Sequence, residues 1–243
     1  MIDFHYWPTP NGWKVAIMLE ECGLECNLVP LDIGKGEQFD PAFLAISPNN
    51  RMPAIVDHDV EGDPVSVFES GAILLYLAEK TGRFAPADAA GKKEMMEWLF
   101  WQVGNQGPMA GQLSHFVNYA PGDHDYSRER YANEYNRCLG VLERRLEGRA
   151  YILGDDYTIV DMICWPWVLI AKPLGQPLDD FPNVARWRQA VKQRPAVQRA
   201  VDLGKEFRRS GPPSEDERKV LFNQTAASVT RRGAGYAPRR SLR

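Results

Sequence analysis

The sequence predicts an α/β domain followed by an all-α domain. Three observations carry this. A β-α-β and then β-β-α order is compressed into residues 2–79. A Gly/Ala/Pro/Asp-rich break follows at residues 81–91, and beyond it only helical periodicity is found.

Each element has a local reason. Residues 2–7 alternate apolar and polar and read as a strand. Val15, Ile17, Met18 and Leu19 lie on helical spacing in residues 14–22, with Glu20 and Glu21 outward and Gly23 as the stop. Residues 28–33 form a second strand, and the polar stretch 34–50 contains a short helical piece at 41–46. Residues 53–57 and, after the turn Glu61-Gly62-Asp63, residues 65–68 complete the strands. Residues 70–79 then carry Ile73, Leu74 and Leu77 on one helical face.

Past the break, helices are expected at 92–103, 128–147, 158–170, 184–192 and 196–204. The third of these is almost wholly apolar and belongs in the centre of its domain. It opens with Thr158-Ile-Val-Asp161, a capping box with Asp in the place of Glu. Residues 104–111, with Gly107-Pro108, read as a helix break. The expected organisation is an α/β domain at 1–81, a linker at 82–91, a helical domain at 92–204 and a basic tail at 205–243. Residues 204–243 hold ten Lys/Arg and four Asp/Glu, a net of +6, so the rest of this net −3 chain carries −9. Residues 214–221 read as a short helix with a serine cap, and residues from Arg231 onward as disordered.

Composition narrows the function. A 44% apolar and 25% charged chain of 243 residues can bury a core. Its net charge favours neither nucleic acid nor an anionic membrane as partner. No apolar run approaches a membrane span, and no secretory signal is visible, so a cytoplasmic location is expected. Cys22, Cys26, Cys138 and Cys164 form no C-x-x-C pair and no zinc spacing, which predicts reduced thiols and no metal. The four histidines, His5, His58, His115 and His124, have no evident partners.

Three short stretches point to chemistry. In Trp7-Pro8-Thr9-Pro10-Asn11-Gly12 two prolines hold a turn directly before a helix. A hydroxyl and an amide stand beside its free N–H groups, an arrangement suited to an anion that the protein does not itself supply. An ordinary Thr or Asn helix cap is the alternative. In the stretch from Ser47 to Val56, a proline before a strand is compatible with either peptide isomer. Met52 there offers backbone groups to an extended peptide, and Arg51 a cation to a carboxylate. In Phe68-Glu69-Ser70-Gly71 a strand passes into a helix. Its N-terminus suits a carboxylate and Glu69 an ammonium, together the head group of an α-amino acid; a plain serine cap is again the alternative.

These stretches resemble the glutathione transferases. Pro8-Thr9-Pro10-Asn11-Gly12, the run from Gly34 to Phe39, Ser47-Pro48-Asn49-Asn50 and the run from Trp98 to Gly104 are similar to the bacterial Nu class, from residue 1 to about 204, with Leu221-Phe222 extending it. The resemblance implies a thioredoxin-like first domain whose turn stands where thioredoxins keep C-x-x-C. It implies glutathione as cosubstrate, its thiolate stabilised by Thr9 and Asn11. Gln38 and Arg51 would hold the glycine carboxylate, Met52 before the cis-proline Pro53 the cysteinyl backbone, and Glu69 with Ser70 the γ-glutamyl group. Asn105, Gln106 and Arg130 would line a pocket for a second substrate or a second glutathione. It further implies a cytoplasmic homodimer that reduces small disulfides and yields glutathione disulfide. The alternatives are conjugation of a hydrophobic electrophile, thiolytic β-aryl ether cleavage by a glutathione lyase, and a non-catalytic glutathione-binding regulator.

Overall fold

The computed structural model describes residues 1–208 and 211–230. In chain order the first elements are β1 (Ile2–Tyr6), α1 (Pro10–Cys22), β2 (Cys26–Pro30), α2 (Pro41–Ile46), β3 (Ala54–Asp57), β4 (Val65–Phe68) and α3 (Ser70–Thr81). There follow α4 (Ala89–Trp101), α5 (Gly107–Asn118), α6 (Asp125–Arg145), α7 (Ile159–Leu169), α8 (Pro182–Lys192), α9 (Pro195–Asp202), α10 (Glu215–Phe222) and α11 (Ala226–Thr230). This is a thioredoxin-like α/β domain followed by a helical domain. The expected disorder from Arg231 onward lies outside the described residues.

The described residues pack as two compact units. One comprises residues 1–7, 26–69 and those from 213; the other comprises residues 8–25 and 70–212. The first unit holds a mixed sheet in the order β2-β1-β3-β4. β1 runs parallel to β2, with Phe4 opposite Leu28, and antiparallel to β3, which is antiparallel to β4. Ile2, Phe4 and Tyr6 are buried, as the alternation in β1 requires. β2 begins two residues before the expected start because its pairing with β1 opens at Ile2–Cys26. Leu31, Phe43 and Ala54 form a small core against which Ile46 and Met52 pack. The Ser214 cap is present: its hydroxyl accepts from Glu217 N–H at 3.3 Å, while the Glu217 carboxylate accepts from Ser214 N–H at 2.7 Å.

The second unit is helical, and α1 and α3 pack within it, α1 lying along α7 and α9. α1 starts at Pro10, four residues before the expected start. A proline has no N–H to lose in a first turn, and Thr9 supplies the cap. Gly23, at φ 66°, ends the helix in the left-handed region that glycine adopts without strain. The expected break at residues 104–111 does not occur. Residues Gln102–Gln106 form a π-helical turn that passes directly into α5, with Pro108 in its tolerant first turn. Gly107 packs tightly there: a β-carbon would stand 3.0 Å from Gln102 Nε2 and 3.2 Å from Gln102 O.

α7 is buried along most of its length, and its capping box forms as read. Thr158 Oγ1 accepts from Val160 N–H at 3.3 Å, and Asp161 Oδ2 accepts from Thr158 N–H at 2.9 Å. The other Asp161 oxygen accepts from Ile152 N–H at 3.0 Å and from the Trp187 indole N–H at 2.8 Å. One fully buried carboxylate thus ties α7 to α8 and to the loop before it. Burial raises its pKa to about 6, against the hydrogen bonds, which lower it.

Removing this carboxylate in Asp161→Ala strands three buried N–H donors and should cost about 3 kcal/mol or more, read as a lower urea midpoint. Its pH dependence has a definite sign. The folded-state pKa lies above the unfolded value, so Asp161 contributes stability that is fully present below about pH 4 and lost as pH rises through about 6. Wild type should therefore lose up to about 3 kcal/mol across that window relative to Asp161→Asn, which lacks the titration. Parallel pH profiles of unfolding free energy for the two proteins check this.

Candidate functional site

At the start of α1, Thr9 is extended (φ −123°, ψ 163°) and its Oγ1 accepts from Gly12 N–H at 3.2 Å. The cap uses a lone pair of the hydroxyl, and a hydroxyl group is a donor as well as an acceptor. Capping and anion stabilisation are therefore compatible readings of Thr9. Asn11 lies in the first turn, and its Oδ1 accepts the Trp167 indole N–H at 3.2 Å. No acidic side chain of that first turn offsets the positive end of the helix dipole.

At the start of α3, Ser70 is 8% exposed, and Lys14 Nζ donates to its Oγ at 3.4 Å and to Gln102 Oε1 at 3.0 Å. Lys14 is itself buried. Lys14 and Gln102 are polar residues that the sequence reading passes over. The available signal is spacing: Lys14 precedes Ile17 and Met18 by three and four residues, which places it on the buried face.

Five other expected residues lie in the strand unit. The Met52–Pro53 peptide is cis. Arg51 is exposed, and its carbonyl accepts from Ser47 Oγ at 2.9 Å, which holds the loop before β3. Gln38 is 1% exposed and donates from Nε2 to Ile33 O at 3.2 Å, while its Oε1 is buried without a hydrogen-bond partner. Glu69 is exposed, and its carboxylate accepts from Asn49 Nδ2 at 3.2 Å. Its φ is +69°, in the region that favours glycine. A residue with a β-carbon is strained in that region.

The residues expected for a second pocket differ in burial. Gln106 is fully buried and donates to Cys164 O at 3.2 Å, while its Oε1 has no hydrogen-bond partner. Arg130 is exposed on α6 and pairs with Glu134 at 2.7 Å. Asn105 stands half-buried in the π-helical turn.

No disulfide joins the four cysteines. Burial raises the pKa of Cys22, Cys138 and Cys164, the last well above the ordinary thiol value. These three are poor nucleophiles at neutral pH. Among the described residues no group of three or more His, Cys, Asp or Glu could hold a metal ion, and no helix is long and apolar enough to cross a membrane.

With this geometry in view, comparison with known proteins is direct. Residues 1–79 match the glutathione S-transferase N-terminal domain, and residues 125–190 its C-terminal domain. Disulfide-bond oxidoreductase YfcG of Escherichia coli (strain K12) is 48% identical over 83% of this chain and 94% of its own. The chain belongs to the glutathione S-transferase family. Two solved structures of glutathione transferases are similar. That from Burkholderia graminis, with two glutathione molecules bound per subunit, is 44% identical, with a TM-score of 0.79 over 84% of this chain and 88% of its own. That from Pseudomonas putida, with one glutathione disulfide bound per subunit, is 38% identical, with a TM-score of 0.78 over 84% and 91%.

The strain in this glutathione S-transferase is measurable at Glu69. Glu69→Gly should raise stability by about 1 kcal/mol in urea denaturation, because glycine adopts a positive φ without steric cost. A fall in stability would mean that the Asn49 bond outweighs the strain.

Proposed function

We propose that this transferase reduces disulfides with glutathione, and that Thr9 and Asn11 hold the glutathione sulfur as a thiolate. The observation that carries this reading is the start of α1. A capping hydroxyl and an oriented amide stand at a helix N-terminus with no acidic residue in its first turn and no cysteine in the turn before it. Such a place stabilises sulfur charge and does not supply it. A free thiol is only a few per cent ionised at neutral pH. The names and bound molecules of the relatives identify the thiol: a disulfide-bond oxidoreductase, and transferases holding two glutathiones or glutathione disulfide.

The reaction balances with two glutathiones. The first thiolate attacks one sulfur of the substrate disulfide, the S–S bond breaks, and one substrate thiolate leaves and takes a proton. A second glutathione thiolate attacks the mixed disulfide at the glutathione sulfur and releases the other substrate thiol. One disulfide is reduced, and two glutathiones become glutathione disulfide. Arg51, Met52, Pro53, Glu69 and Ser70 would bind the peptide, with Gln38 shaping the loop that receives its glycine end. Asn105, Gln106 and Arg130 would face the second molecule.

The same proposal includes a cytoplasmic homodimer and the domain division at residues 81 and 91. Phe100, 65% exposed on α4, and Val103, 39% exposed just after it, offer apolar surface for a second copy. Phe100→Glu should shift the protein toward monomer in size-exclusion chromatography with light scattering.

Steady-state reduction of a dialkyl disulfide, coupled to glutathione reductase and run beside an aryl-halide conjugation assay, tests the function. Wild type should turn over the disulfide and conjugate feebly. Thr9→Ala should lower disulfide turnover by about a hundredfold with glutathione binding retained, and Thr9→Ser should recover most of it. Absence of disulfide turnover in wild type would defeat the reading. Electrophile or aryl ether activity would then favour conjugation or lyase chemistry, and binding with no turnover a regulator.

A further inference from the structure

The Asn11–Trp167 contact has directional content. An indole N–H only donates, so the Asn11 atom facing it at 3.2 Å must be the carbonyl oxygen. An asparagine side chain otherwise turns over between two nearly isosteric orientations, one offering hydrogens and the other lone pairs. With Oδ1 occupied by the indole, the amide hydrogens on Nδ2 point to the other side. Only that orientation helps an anion at the start of α1, because a carbonyl oxygen turned toward it would repel it.

Trp167 is built to hold this position. It is 7% exposed, and its own carbonyl accepts from Tyr135 Oη at 2.8 Å inside the helical core. The far edge of its indole lies against α5, 3.6 Å from where a β-carbon of Gly111 would stand. Its helix is fixed at the other end by the Thr158–Asp161 box.

We propose that Trp167 is a positioning residue for sulfur chemistry: its N–H locks the Asn11 amide so that Nδ2 presents hydrogens to an anion at the α1 N-terminus. This rests on the reading that glutathione sulfur is the anion. In this role Trp167 acts through Asn11.

The test reads the thiolate directly. Ultraviolet absorbance of bound glutathione is titrated against pH at saturating glutathione for wild type, Trp167→Phe, Asn11→Ala and the double variant. Wild type should show a midpoint below the free-thiol value of about 8.5. Trp167→Phe keeps most of the ring volume and loses the N–H; its midpoint should rise by about one pH unit, a tenfold loss of thiolate at a pH below both midpoints. The double variant should rise no further than Asn11→Ala alone, because the two residues act in series. An unchanged midpoint in Trp167→Phe beside a raised one in Asn11→Ala, or additive shifts in the double variant, would overturn the proposal. A wild-type midpoint equal to that of free glutathione would instead overturn the underlying reading. Should circular dichroism show Trp167→Phe unfolded, Asn11→Asp carries the test. Its carboxylate still accepts from the indole but offers no hydrogen, so its midpoint should exceed that of Asn11→Ala. An Asn11→Asp midpoint at the wild-type value would also overturn the proposal.

Discussion

The helical unit depends on one buried carboxylate. Asp161 has no exposure to water, yet its oxygens accept from the N–H groups of Ile152, Thr158 and Trp187 and from the Thr158 hydroxyl. Burial alone would make so expensive a charge improbable; complete hydrogen bonding makes it a structural pin. It fixes the first turn of α7, the preceding loop and α8 at once. The apolar helix that follows has few polar features of its own to set its axial rotation, so the pin supplies them.

From that fixed helix the consequences run outward to α1. Trp167 projects from α7 and meets Asn11 in the first turn of α1, where Thr9 satisfies the N–H of Gly12. α1 also bears Glu20 and Glu21, which pair with Arg199 and Arg194 of α9 and its N-terminal flank. The Glu21 pair is the more sheltered, and Arg194 also stacks on Tyr157, with its guanidinium 3.9 Å from the ring centroid. A helix held at its first turn and along its last has little freedom to drift. Constancy of position is what a helix N-terminus needs if its dipole and donors are to act on one atom.

The division of labour in the chemistry has the same origin. The three cysteines whose thiols are raised by burial are packing residues with muted nucleophilicity. Under the proposed function the reactive sulfur arrives with glutathione, and the protein would contribute donors and a helix dipole at the start of α1.

Much of this was legible in the sequence because it is local. Alternation in β1, the Gly23 stop, the Thr158–Asp161 box and the Ser214 cap each depend on residues a few positions apart, and each formed as read. The Pro-Thr-Pro-Asn-Gly turn likewise announced a helix start with polar donors. Partners distant in the chain were not legible. Residues 104–111 look like a break because Gly and Pro are judged by average behaviour; a π-helical turn and the close approach of Gly107 to Gln102 keep them helical. The bond from Gln106 to Cys164 O, 58 residues later, could not be read either. Lys14 looks like an ordinary surface cation until Ser70 and Gln102, 56 and 88 residues away, receive it. Sequence by itself determined the succession of α/β and then helical elements and the caps, because propensity and spacing act over a turn or two, while the kind of chemistry came from the resemblance to a family. Only the tertiary structure decided which way the Asn11 amide faces, since that is set by a donor 156 residues later in the chain.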